Sequence, residues 1–151
     1  MSGKQKTKSI PSEDDDDYCL DEQVGYLLRL AYQRHAILFQ ELAILGLTPT
    51  QFATLVRLGE VGQCSQNMLG RLTAMDVATI KGVIGRLDKR GLVSLASDPT
   101  DKRRTLITLN EQGKSVLGDL HEMGRAVTSE TLSRLSAADQ RTFLRLLKKL
   151  T

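Results

Sequence analysis

The residues with the clearest chemistry lie between positions 76 and 109, and the chemistry they suggest is the binding of a polyanion. The stretch SDPTDKRRTLITL at 97–109 sets Lys102, Arg103 and Arg104 side by side after a proline-containing turn, with Asp98 and Asp101 close by. Carboxylates this near can accept from guanidinium groups and hold them in one rotamer. A cation fixed in advance loses less entropy on entering a narrow minor groove, where the negative potential of DNA is strongest. The same charges could instead form a hairpin edge that resists aggregation. Just upstream, helical spacing over 76–90 puts Val77, Ile80, Val83, Ile84 and Leu87 on an apolar face. Ala78, Gly82, Arg86 and Lys89 fall on the opposite face, flanked by Thr79 and Gly85. Glycine within a helix costs about 1 kcal/mol relative to alanine. Two of them beside Arg86 would let such a helix come close to a major groove, which admits one helix. A solvated face that tolerates glycine is the alternative.

Other chemistries find no support. The sequence has no nucleophile–base pair and no phosphate-cradling Gly loop, and its two His and two Cys have no ligand spacing. No catalytic residue, metal or cofactor is therefore expected. Cys19 and Cys64 are too few for a disulfide framework. No apolar run approaches membrane-spanning length and no signal peptide is visible, so a cytoplasmic protein with no membrane partner is expected.

The elements that must position these residues follow from composition and spacing. The chain has 151 residues, 40% hydrophobic but only 4% aromatic, and no Trp. Leu, Val and Ala must therefore build the interior, which suits helices in one compact unit. The formal charge is +3, but three Lys and five carboxylates leave residues 1–17 at −2 and the other 134 residues at +5. Residues 1–17 are expected to be a disordered acidic/basic tail.

From Leu20, apolar residues at steps of three and four, with His35 on the same stripe, give one long helix closed by Gly46. Thr48-Pro49-Thr50-Gln51 has the form of an N-cap, a first-turn proline and a capping-box glutamine, opening a helix that ends at Gly62. Ser65 opens a short segment to Leu72, Asp76 opens the helix at 76–90, and strands are expected near 92–97 and 104–109. Asn110 caps a further long helix carrying Val116, Leu117, Leu120, Met123 and Val127, and Ser136 caps a last one carrying Phe143, Leu146, Leu147 and Leu150. A helix-turn-helix followed by a hairpin is a winged helix. The expected fold is thus mainly α with a small β-hairpin wing: a winged helix-turn-helix at 47–109, with dimerisation helices at 18–46 and 110–151. The terminal helices cannot all bury their stripes on one small winged helix, which implies a symmetric homodimer.

The blocks GLTPTQFATL at 46–55, RLDKRGLV at 86–93 and DPTDKRRTLITLNEQG at 98–113 resemble the MarR family of bacterial transcription regulators, over residues 20–150. The last block matches the family's wing pattern, an Asp, two residues, Asp-x-Arg-Arg, a strand and a Gly. The resemblance implies a homodimeric repressor of a pseudo-palindromic double-stranded operator. It places Arg103 in the minor groove with Asp101 orienting it, Lys102 on phosphate, and Arg104 as a brace against Asp98. It assigns major-groove reading to Ala78, Thr79, Lys81 and Gly82, and phosphate contacts to Ser65, Gln66 and Arg86. Many relatives have a basic or polar residue where Gly82 stands, so readout there is missing or shifted to Lys81 and Thr79.

Members of this kind commonly release DNA on binding small aromatic acids, in a pocket between the dimerisation helices and the winged helix. The residues this implies here are Tyr26, Arg34 and His35 on the first helix, and Thr50, Phe52 and Thr54 on the second. His35 would donate to a carboxylate or hydroxyl and Phe52 would stack on a ring, although a histidine on an apolar stripe is also a common core residue. A redox-responsive regulator of the same fold is an alternative, but the position of the sensing cysteine in peroxide-responsive members falls on Gly25 rather than Cys19. A winged-helix module that binds protein instead of DNA is a second alternative.

Overall fold

The computed structural model describes residues 18–151, so the tail expected at 1–17 lies outside the described residues. Side-chain oxygens start most of the helices. Helix α1 spans Val24–Leu42 and α2 spans Pro49–Val61. Thr48 caps α2 by accepting from the Gln51 amide at 3.3 Å, while Gln51 Oε1 accepts from the Thr48 amide at 3.1 Å. The same device opens α3 (Gln66–Leu72) at Ser65, α4 (Val77–Lys89) at Asp76, α5 (Glu111–Ser115) at Asn110 and α7 (Ala137–Leu147) at Ser136. Each such cap is worth about 1 kcal/mol.

The wing is a sheet of three strands, not two. Strand β2 (Val93–Ser97) pairs antiparallel with β3 (Thr105–Leu109), from Val93 opposite Leu109 to Ser97 opposite Thr105. On the other side of β3 lies β1, the two residues Cys64–Ser65, which face Ile107 and Leu106. Two residues are too few to show alternation, so β1 left no signature in the sequence.

Two expected helices are broken. The single helix expected from Leu20 to Gly46 is a turn at Leu20–Glu22, then α1, then a second turn at Ile44–Gly46. Leu45 (φ 56°) and Gly46 (φ 58°) are consecutive left-handed residues, and for a leucine that conformation costs about 1–2 kcal/mol. Tertiary contacts hold this elbow. The Ile44 amide donates to Met123 Sδ at 3.4 Å, and the Arg90 guanidinium, at the end of α4, donates to the Leu45 carbonyl. The long helix expected after Asn110 is α5 followed by α6 (Leu117–Leu132), parted at Val116 (φ −93°, ψ −6°). Helix α5 lies tight on the sheet, since a Cβ at Gly113 would stand 2.1 Å from the Leu92 carbonyl oxygen.

The main core joins α2, α3, α4, the sheet and the start of α6 through Leu55, Leu69, Val83, Leu87, Ile107 and Leu120. A smaller cluster of Phe39, Met123 and Val127 joins α1 to α6. Phe52 touches both clusters and meets Phe39 edge-on, with ring centroids 5.7 Å apart. Helix α7 buries none of its residues fully. Among the described residues, no helix is long and apolar enough to cross a membrane.

Candidate nucleic-acid interface

Helix α4 is buried along Ile80, Val83, Ile84 and Leu87 and exposed on its other side. Val77, expected on the core face, is 64% exposed, because the first turn of α4 stands clear of the core. Ala78, Thr79 and Lys81 are exposed beside it. Asp76 Oδ1 accepts from the Thr79 amide at 2.7 Å and Oδ2 from the Thr79 hydroxyl at 3.0 Å. These bonds, the amide first, hold the Asp76 carboxyl below the ordinary aspartate range. Gly82 is half-buried beneath Arg86, whose guanidinium nitrogens lie 3.5 and 3.7 Å from where a Cβ would be, whereas Gly85 faces open space.

At the wing tip, the Asp98 amide donates to the Arg104 carbonyl at 3.0 Å and the Arg104 amide to the Asp101 carbonyl at 2.8 Å. Asp101 Oδ1 accepts from the Arg103 amide at 3.1 Å and from its Nε at 3.2 Å. Arg104 Nε faces Asp101 Oδ2 at 3.5 Å. The side-chain brace between Arg104 and Asp98 is therefore replaced by one to Asp101. Asp98 instead accepts from the Thr100 amide and hydroxyl at 2.8 and 2.7 Å, closing the turn on itself. Hydrogen bonds hold both carboxyls below the usual range, chiefly from the Arg103 side chain at Asp101 and from the Thr100 hydroxyl at Asp98. The Arg103 side chain is 92% exposed while Asp101 is 26% exposed, so an anchored base carries a projecting cation. Lys102 is exposed beside it.

Ser65 and Gln66 line a cleft of about 400 Å³ with Asn67, Arg71, Arg103 and Arg104. Ser65 Oγ already accepts from the Met68 amide. Arg71 did not stand out in the sequence, because only the β1–β3 pairing brings α3 to the wing.

The six candidate ligand residues do not form one pocket. Tyr26 lies under the Arg29 guanidinium, 5.2 Å from its ring centroid. Arg34 donates to the Thr131 and Glu130 carbonyls, both at 3.3 Å, and His35 Nδ1 meets Thr131 Oγ1 at 3.0 Å. Both clasp α1 to the end of α6. Thr54 is fully buried with its hydroxyl on the Thr50 carbonyl, and Thr50 Oγ1 is 3.0 Å from Thr48 Oγ1. Of the six, Phe52 lines a cavity of about 490 Å³, together with Val56, His121, Gly124, Arg125 and Thr128. A Cβ at Gly124 would sit 2.9 Å from Phe52 Cζ, so glycine there admits the ring. His121 and Arg125 are four apart on α6, adjacent to the apolar stripe that drew attention to that helix; a His–Arg pair at that spacing facing a second helix was the signal available. Elsewhere, burial pushes the Cys64 thiol up, and Cys19 is exposed.

A model of the MarR family matches residues 45–104. The HTH-type transcriptional repressor NicR of Pseudomonas putida is 40% identical, with 99% of this chain and 95% of that protein aligned. Among solved structures, a probable transcriptional regulator from Pseudomonas aeruginosa superposes with a TM-score of 0.85 at 51% identity, covering 88% of this chain and 100% of that one. BpsR of Bordetella bronchiseptica, described for the regulation of its DNA binding by 6-hydroxynicotinic acid, gives 0.83 at 38% identity over 88% of this chain and 96% of its own.

Proposed function

Because the chain belongs to the MarR family of transcriptional regulators, we propose that it works as a homodimeric repressor, released from a pseudo-palindromic operator by a small aromatic carboxylate. It is a winged-helix DNA-binding regulator rather than an enzyme. In this reading the exposed first turns of α4, with Ala78, Thr79, Lys81 and Gly82, enter the major groove. Arg103 enters the neighbouring minor groove, while Lys102, Arg86, Ser65 and Gln66 meet phosphates. The cytoplasm is where such a regulator meets its DNA.

What carries the reading is the wing, where Asp101 takes three bonds from Arg103, one from its amide and two from its guanidinium, and so fixes a cation whose side chain stays 92% exposed. A surface charge kept only for solubility has no need of such anchoring. The dimer is supported by apolar faces left open on the terminal helices, among them Val24, Leu27 and Ile37 on α1, and Phe143 and Leu146 on α7 with Leu150 just beyond it. Burying against a second copy the part of these side chains still exposed stabilises by roughly half of the 1.5–3 kcal/mol that full burial gives each.

The effector site in this reading is the cavity beside Phe52, with the ring as an apolar wall and Arg125 and His121 as partners for a carboxylate. That 6-hydroxynicotinic acid regulates BpsR favours a ligand of this class. The cavity lies between α2, which belongs to the DNA-binding unit, and α6, which belongs to the dimerisation helices. A ligand there favours the arrangement of the two that contacts it best, and releases DNA if that differs from the DNA-bound arrangement.

Mobility shift with DNA from upstream of the chain's own gene tests this. Wild type binds, Arg103→Ala binds at least tenfold more weakly at the same salt, and 6-hydroxynicotinate dissociates the wild-type complex but not that of Arg125→Ala. A protein-binding module would show no steep fall of DNA affinity with added salt, as several phosphate contacts require.

A further inference from the structure

We propose that the cleft between α3 and the root of the wing seats one phosphate of the DNA backbone, with Arg71 as its principal cation. This rests on the DNA-binding reading above and adds to it a residue and a contact.

The cleft is walled by Ser65, Gln66, Asn67 and Arg71 on one side and by Arg103 and Arg104 on the other. Three guanidinium-bearing residues line it and no carboxylate does. The nearby acid, Asp101, is taken up by the other two arginines, at 3.2 Å from Arg103 Nε and 3.5 Å from Arg104 Nε. Arg71 has no ion-pair partner among the described residues. A net positive hollow with an uncompensated guanidinium, flanked by the amides of Gln66 and Asn67, is complementary to an oxyanion that can accept a two-pronged donor.

Position identifies the oxyanion. Ser65, the cap of α3, is itself paired with Leu106 of β3. Helix α3 thus starts at the root of the wing. With α4 in the major groove and the wing tip in the adjacent minor groove, the strand of phosphates dividing the two grooves must pass between them. The cleft is bounded by α3 and the wing, the element this reading sets beside that strand. A small free anion would meet the same guanidinium but would gain nothing from the placement of the cleft between two groove-reading elements. A phosphate contact fixes register without reading sequence, so Arg71 links wing and helix to one strand whatever the bases.

Fluorescence anisotropy of the full chain tests this, with a labelled duplex from upstream of its gene and a scrambled duplex of equal length, over a series of KCl concentrations. Arg71→Ala is expected to weaken binding to both duplexes by the same factor. It should also flatten the slope of log affinity against log salt by about 1.8, about 0.9 for the phosphate seated by each protomer of the proposed dimer, with no change in melting temperature. Arg71→Lys, which keeps the charge, should restore most of the slope. If wild type binds and Arg71→Ala keeps the wild-type slope, the phosphate seat is wrong while the DNA-binding reading stands. A change in the ratio between duplexes would also overturn it, since that marks a base contact. If wild type binds neither duplex, the functional reading fails and the seat with it.

Discussion

Arg103 and Arg104 are adjacent and share the Asp101 carboxylate, but their bonding differs. Arg103 donates its amide and its guanidinium to Asp101 and projects, whereas Arg104 contributes amide and carbonyl to the turn, and both line the cleft. Asp101→Asn keeps the shape of the turn and both cations, but weakens the hold on the Arg103 rotamer. Operator affinity should fall by about three- to tenfold, the cost of ordering one long side chain on binding. The salt slope should stay the same, because no phosphate contact is removed. Acid should have a separate effect. A carboxyl whose pKa is lowered on folding adds stability above its unfolded value and loses it as pH falls through the lowered one. Asp76, Asp98 and Asp101 are all of this kind. The wing and the α4 cap should therefore be constant above about pH 5 and give way only in stronger acid. Carboxyl NMR titration reads this directly, and an aspartate titrating above the ordinary range at any of the three positions would contradict it.

Helix α4 allows stability and affinity to be separated by mutation. Alanine fits at Gly82, in ordinary contact with Arg86, and at Gly85, which faces open space. Both substitutions should raise the unfolding free energy by up to about 1 kcal/mol. Gly82→Ala should nonetheless weaken operator binding, because it thickens the face turned to the groove; chemical denaturation and anisotropy on the same samples check both halves. Gly113→Ala is the opposite case. Its Cβ would meet a backbone oxygen, and it should cost about 1–3 kcal/mol or more. The caps and the wing signature were readable in sequence because they are local, with donor and acceptor three residues apart. What was not readable depends on distant segments. Strand β1 exists only through β3, the elbow at Leu45 is held from Arg90 and Met123, and Arg34 and His35 find partners almost a hundred residues away. The stripe pattern put His35 on the apolar side of its helix, where it is half-buried, but could not show that its ring was already engaged. For the same reason the cavity residues His121 and Arg125 were missed: they share a cavity only with Phe52 and its neighbours, some seventy positions earlier.

At the scale of the molecule, the described chain is well packed at its centre and open at its ends. Its core reaches from α2 through the sheet to Leu120, while the apolar faces of α1 and α7 lack partners. Leu146→Asp should leave the winged helix folded and convert the proposed dimer to monomer in sedimentation velocity. It should also lower operator affinity by far more than any single DNA-contact substitution, since two half-sites would no longer be engaged together. A monomeric wild type would refute this arrangement.

The bond from Arg90 to the Leu45 carbonyl then has a consequence for how such a protein can change over evolutionary time. DNA presents equivalent groove faces about every 34–36 Å, so a two-headed reader must act as a gauge with a fixed jaw width. In the proposed dimer the elbow at Leu45 and Gly46 would set the angle between α1, which would join the two heads, and α2, and Arg90 ties the far end of α4 to that elbow. Residues 78–82, at the near end, lie more than a full turn away. On the proposed reading, new operators would be acquired there by substitution without resetting the gauge, because the bond between a guanidinium and a carbonyl would keep the spacing while the side chains proposed to read bases vary.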